Sequence, residues 1–311
     1  MKRIVLLTSL IAVGAMTYVA AQQGGQKPMV VEVEKLKDNL FVLKGGGGNT
    51  TVFVQSNGIT VVDTKNPGWG APILAKIKEL SPKTITTIVN THTHGDHVSG
   101  NVEFPTTVDI VVQENTATNM KQMRPVTGLS KPGAPPAPNI FEQNGGKGLP
   151  KRTFKDRMTI GKGPDQIDLY YFGRGHTNGD AWIAFPALRI VHSGDIFASK
   201  SVPLIDEANG GSMMEISGTL MKAYNGIKNV DQIINGHTPA QTTWADLKEY
   251  AEFNKDLVTW MEAGLKAGKT PEQIAAEWKV PEKYKGYSST VSTLMGGMAG
   301  RVATLQKEMK K

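Results

Sequence analysis

The chain has 311 residues, 39% hydrophobic and 20% charged, an ordinary balance for a globular protein with material for one large or two small cores. It has no cysteine, which excludes disulfides, thiolate metal ligands and a cysteine nucleophile. Lys and Arg outnumber Asp and Glu by 35 to 28. That excess is spread out, apart from short clusters such as Lys147–Arg152 and Lys310-Lys311. It reads as a solubility feature, and no nucleic-acid partner is expected.

Lys2-Arg3, the mostly apolar run Ile4–Ala15 and the small residues Val19-Ala20-Ala21 stand in the order of a secretory signal, with cleavage expected after Ala21. The apolar run is only marginally long enough to span a bilayer. A periplasmic or secreted chain with no stable membrane anchor after cleavage is therefore expected. After the Gln/Gly-rich start come short β-branched-rich runs: Val30–Leu36, Leu40–Lys44, Thr51–Gln55 and Ile59–Asp63, each predicted as a strand. The run Gly45–Gly48 lacks the Gly-Lys-Ser/Thr ending of a phosphate loop and reads as a turn. A helix is predicted over Trp69–Leu80, and a buried strand over Thr84–Asn90. A strand near Val108–Val112 and a helix near Glu114–Met123 follow.

Pro125–Pro150 is rich in Pro and Gly and reads as a long loop, functional or mobile. Beyond it lie strands Gln166–Phe172, Ala181–Phe185 and Leu188–His192, a helix Met213–Gly226 and a short strand Gln232–Ile234. The last part is predicted helical. Apolar residues recur at helical spacing in Trp244–Leu265, Thr270-Pro271-Glu272-Gln273 is a helix start, and Val291–Lys310 closes the chain. Strands then helices, repeated in two halves, argue for a layered α/β sandwich rather than a doubly wound sheet. The expected division is a signal over 1–21, a catalytic domain over 22–243 and a helical extension over 244–311 packed on that domain.

Three of the six histidines fall within six positions, His92-Thr-His94-Gly-Asp96-His97, directly after a predicted strand. Imidazoles and a carboxylate suit zinc, and a turn at a strand end lets them converge. Four such groups from so short a segment exceed what one ion readily takes, so two metals are expected. His176, Asp195 and His237 each follow a predicted strand and stand beside glycine, where a side chain can project from the loop.

This pattern resembles the metallo-β-lactamase superfamily. Its H-x-H-x-D-H signature stands at His92–His97, its later ligands match His176, Asp195 and His237 in order, and the likeness covers Asn39–His237. The resemblance implies a four-layer αβ/βα sandwich with a helical C-terminal extension. It also implies that His92, His94 and His176 hold one metal, that Asp96, His97 and His237 hold another, and that Asp195 bridges both. Asp63 resembles the family's aspartate beneath the site, although a plain turn aspartate is the competing reading. His192 matches no family role and reads as a packed histidine, and Asp180 as structural. The cofactor implied is two Zn2+, with iron or manganese as alternative occupants.

The chemistry expected is hydrolysis of a small-molecule ester, lactone, thioester or β-lactam by a metal-bridging hydroxide, with Asp96 orienting the attacking water. An aspartate at position 195 excludes the lactamase subclass with a cysteine ligand. It instead resembles thioesterases and lactone hydrolases of the family. A sulfur dioxygenase-like iron oxidoreductase, a phosphodiesterase and a non-catalytic metal binder are the alternatives.

Overall fold

The computed structural model describes residues 30–124 and 138–310. The signal assigned to residues 1–21 and the first half of the Pro125–Pro150 loop lie outside the described residues. The first sheet has seven strands in sequence order: β1 (Glu32–Lys37), β2 (Leu40–Lys44), β3 (Thr50–Gln55), β4 (Gly58–Val62), β5 (Ile85–Val89), β6 (Asp109–Gln113) and β7 (Arg152–Phe154). β1 to β4 form an antiparallel meander, and β4 to β7 run parallel. The helix Gly70–Leu80 makes the β4–β5 crossover that parallel pairing requires.

The second sheet comprises β8 (Arg157–Ile160), β9 (Ile167–Tyr170), β10 (Trp182–Phe185), β11 (Ile190–Gly194), β12 (Gln232–Asn235) and β13 (Thr242–Thr243). It repeats the scheme: β8 to β11 are antiparallel, then β11 and β12 are parallel across the helix Ile216–Gly226.

Alternation along the strands builds the layers. Val42, Phe53, Val62 and Val89 of the first sheet meet Leu169, Ile183, Phe185 and Ile190 of the second in one buried cluster. Their neighbours Leu43, Val52, Val61 and Ile88 point the other way, onto Ile73 and Ile77 of the helix Gly70–Leu80. Likewise Trp182, Ala184 and Val191 face Leu220, Leu247, Phe253 and Val302 of the outer helices. A period of two with both faces apolar is the signature of a sheet covered on both sides. The result is the expected αβ/βα sandwich with a helical C-terminal part.

Most predicted elements lie within two residues of the observed ones. The exceptions have local causes. The C-terminal helix begins only at Gly297, because Met295, Gly296 and Gly297 all have positive φ (56°, 78° and 64°) and left-handed residues cannot continue a right-handed helix. The strands β7 and β8 were not predicted: they are three and four residues long, too short to show a period. The described part of the long loop contains a helical turn, Ile140–Gln143, anchored by the buried Phe141. The helix at Thr270 has the predicted capping box, with Thr270 and Gln273 bonding each other's backbone.

Candidate metal centre

The carboxyl ends of parallel strands gather the candidate ligands along one edge of both sheets. β4 leads into Asp63, β5 into Thr91-His92, β11 into Asp195 and β12 into His237. The two sheets are tied at this edge: Ala181 N donates to the Thr91 carbonyl (2.8 Å), and Asn49 N to the Gly236 carbonyl (2.7 Å). His94 stands in extended conformation directly before the short turn Gly95–Val98. Beyond that change of direction, Asp96 and His97 put their ligand atoms in a second group, although the His97 ring stays against that of His92 at 4.2 Å between centroids.

The seven residues singled out in the sequence come together as two groups. The ligand atoms of His92, His94, His176 and Asp195 lie within 4.8 Å of one another, as do those of Asp96, His97 and His237. Asp195 reaches both groups. One oxygen is 3.4 Å from His97 Nε2, and the other is 3.1 Å from His237 Nε2 and 3.8 Å from His176 Nε2. Close passage of the chain is required here, since a β-carbon on Gly236 would collide with Asp195 and one on Gly48 with the His97 ring.

Each buried histidine is oriented by the hydrogen bond of its outer nitrogen. His97 Nδ1 donates to Asp63 Oδ2 at 2.7 Å, His94 Nε2 to Asp206 Oδ2 at 2.8 Å, and His176 Nδ1 to the Leu204 carbonyl at 2.7 Å. Thr91 donates its hydroxyl proton to Asp63 (2.7 Å), so it accepts from His92 Nδ1 (2.9 Å). Every one of these tautomers aims the remaining lone pair inward, the arrangement that surrounds a protein-bound metal. The consequence is unfavourable without a cation. His94 Nδ1 and His176 Nε2 face each other at 3.0 Å, and His92 Nε2 and Asp195 Oδ1 are buried with no hydrogen-bond partner. Orphaned buried acceptors cost stability unless something positive sits among them. The donor set therefore fits metal ions: nitrogen and carboxylate oxygen, with no sulfur.

The electrostatics agree. Burial, reinforced by the other histidines, pushes His92 well below its ordinary value, and burial takes His176 down to about 4. Against burial, Asp195, Asp96 and Asp63 hold His97 well above it. Burial alone would raise Asp96 and Asp195, yet the facing His97 and His237 keep both below the usual carboxylate range.

A model of the metallo-β-lactamase superfamily matches residues 43–258, more than half of the chain. The chain belongs to the metallo-β-lactamase superfamily. Among curated proteins it is 26% identical over 252 residues to a type 2 metallo-β-lactamase of Elizabethkingia meningoseptica, covering 74% of this chain and 90% of that one. It is also 26% identical over 174 residues to a hydroxyacylglutathione hydrolase of Nostoc punctiforme, covering 56% and 53%. Among solved structures, a metallo-β-lactamase from Pontibacter korlensis superposes with a TM-score of 0.57 at 18% identity, over 73% of this chain and 99% of that one. A sec-alkyl sulfatase variant superposes with a TM-score of 0.65 at 15% identity, over 90% and 50%. The structural likenesses show the fold. The family, its hydrolase relatives and the His/Asp centre make this chain a metal-dependent hydrolase of the superfamily.

Several supporting residues escaped the sequence reading. Asp206 and the Leu204 carbonyl lie on the loop after β11, about thirty residues from His176 and far from His94 in sequence, so no spacing announces them. Lys65 is fully buried, donates to the carbonyls of Leu43 and Gly48 (both 2.8 Å), and is pushed down to about 7 by burial. It pins the glycine turn against His97. Only its place two residues after Asp63 hinted at this. Asp63 itself has a φ of 61°, a strained conformation for a non-glycine residue, and its carboxylate serves Thr91 and His97. His192 is buried in β11 against Thr51 (3.0 Å) and Asp180 accepts from Thr177, and neither belongs to the two ligand groups.

Proposed function

We propose that the chain is an exported binuclear zinc hydrolase that cleaves an ester, lactone, thioester or β-lactam bond of a small molecule. The observation that carries this reading is the pair of ligand groups joined by Asp195, with His92 Nε2 and Asp195 Oδ1 buried without a hydrogen-bond partner. His92, His94 and His176 would hold one ion, Asp96, His97 and His237 the other, and Asp195 both. Bound there, zinc ions supply a nucleophile from water near neutral pH and polarise the scissile carbonyl.

The chain's own residues do the rest. Asp63, Asp206 and the Leu204 carbonyl hold His97, His94 and His176 in the tautomers that ligation needs. Asp96, ionised and facing the cavity, accepts a hydrogen bond from the attacking water and fixes its direction. Residues 244–310 pack their helices on the second sheet and are the proposed extension of a catalytic domain spanning 22–243. Export rests on the Lys2-Arg3 start, the apolar run and the small residues before Gln22. Among the described residues no helix is long and apolar enough to cross a membrane.

The test is turnover by residues 22–311 loaded with zinc. A chromogenic β-lactam, a lactone, a thioester and an aryl ester are each assayed with and without chelator. Turnover of at least one that chelator abolishes and zinc restores is expected. Protein shown to hold two metals that turns over none of them would overturn the proposal.

A further inference from the structure

The metal centre opens into a cavity of about 520 Å³, a size suited to a small ligand. One side is the ligand cluster. The opposite side comes from two distant stretches, Ala198–Leu204 after β11 and Ser292–Met295 before the last helix, with Tyr250 between them. Val202, Pro203, Leu204, Leu294 and Met295 make that side apolar, and its polar groups are uncharged hydroxyls. Among the described residues, no lysine or arginine lines the cavity.

The wall at 292–297 is built with effort that burial alone does not require. Met295 has a left-handed φ of 56°, a conformation disfavoured for a side-chain-bearing residue. Gly300 lets the turn press onto the last helix, since a β-carbon there would collide with the Met295 carbonyl. Arg301, nearly fully buried, donates through Nε to the Pro203 carbonyl (2.7 Å) and through Nη1 to the carbonyls of Leu294 (2.9 Å) and Gly297 (2.6 Å). One guanidinium thus clamps the two apolar stretches to each other. Leu294 nevertheless remains 41% exposed at the cavity. Leu294 thereby presents an apolar side chain on the cavity wall, continuous with Val202 and Met295.

We propose that this wall is an acyl-chain subsite, and that the substrate carries an uncharged, apolar acyl group of several carbons rather than a carboxylate-bearing one. This rests on the metals sitting where the proposed function puts them. A chain leaving the scissile carbonyl meets Leu294, Met295 and Val202, each buried methylene strengthening binding about three- to fourfold. A terminal carboxylate would lie there without a cation to pair it, a cost that selects against it.

The test is a series of alkyl hydroxamates, which grip the metals and carry the chain in place of substrate. Binding of acetyl, butanoyl, octanoyl and succinyl hydroxamates to the zinc-loaded protein is measured by calorimetry. Octanoyl is expected to bind at least about 30-fold tighter than acetyl, and succinyl no tighter than butanoyl. Leu294→Glu, at an exposed position that folding tolerates, is expected to cut the octanoyl-to-acetyl ratio about tenfold. A flat series, succinyl binding tighter than butanoyl, or an unchanged ratio in Leu294→Glu would each overturn the proposal. A graded series in a protein that hydrolyses nothing would refute hydrolysis and leave the subsite standing. Hydrolysis with a flat series would do the reverse.

Discussion

His92, His94, His176 and Asp195 are all buried, whereas of the other group only His97 is; Asp96 is partly exposed and His237 opens onto the cavity. The cause is where the chain comes from. The enclosed group draws on β5, β11 and the loop before β10, with Asp206 and the Leu204 carbonyl closing it from behind. The open group hangs His237 on the loop between β12 and β13, with solvent on one side. Enclosure fixes geometry before an ion arrives, and exposure leaves room for substrate and water. On the proposed function, one group would chiefly hold its ion and the other chiefly exchange water and substrate.

The sharpest way to break this comparison is to remove one ligand from each group. His94→Ala and Asp195→Ala should each lower kcat/KM by about three orders of magnitude or more, and His237→Ala by less. Equal losses would erase the distinction. His192 supplies a control, a histidine as buried as the ligands but holding no ion. Burial pushes it down to about 4, so below its unfolded value near 6.5 the unfolded chain takes up a proton that the folded chain refuses. Stability from this residue is full above pH 6.5 and is lost as pH falls toward 4, on the order of 3 kcal/mol in all. Urea midpoints of wild type and His192→Asn across that window should converge as pH drops. Parallel curves would show that His192 protonates without unfolding.

Partners of the ligands sharpen the comparison further. Asp206→Asn should weaken metal binding to the enclosed group about 10- to 100-fold, and Asp63→Asn to the open one. Competition with a chromogenic chelator would resolve two affinities, only one of which moves in each variant. The smallest effect is in protons. His237 of the metal-free protein is raised to about 9, chiefly by the charge of Asp195, so at pH 7 it carries a proton that a metal must displace. Filling the open group should release up to about one proton from this residue, read by calorimetry in buffers of different ionisation enthalpy. Release should shrink as pH rises past 9, and no dependence on buffer would contradict the assignment.

Much of this was legible because local rules and tertiary structure agree. The strands that lead to the candidate ligands, β5, β11 and β12, each carry two or three Ile or Val residues within four or five positions, and such β-branched enrichment between turn residues announces a buried strand by composition. Ligand spacing within His92–His97 is shorter than any element, so it survives translation into three dimensions unchanged. β7 and β8 were illegible because three or four residues show no period. The late start of the last helix depended on Arg301 and Gly300 holding Met295 in a conformation that its own sequence disfavours.

The sequence by itself singled out the seven side chains that gather into two candidate metal groups and the layers they hang from, because both are written in residue type and in spacing of a few positions. Only the tertiary structure decided that Asp206 orients His94, that Lys65 pins the glycine turn beside His97, and that Ser292–Met295 lines the same cavity as the candidate metal centre. Those pairings join residues far apart in the chain. Hydrogen bonds and packing between such residues leave no periodic trace, and exist only once the two sheets have closed on each other.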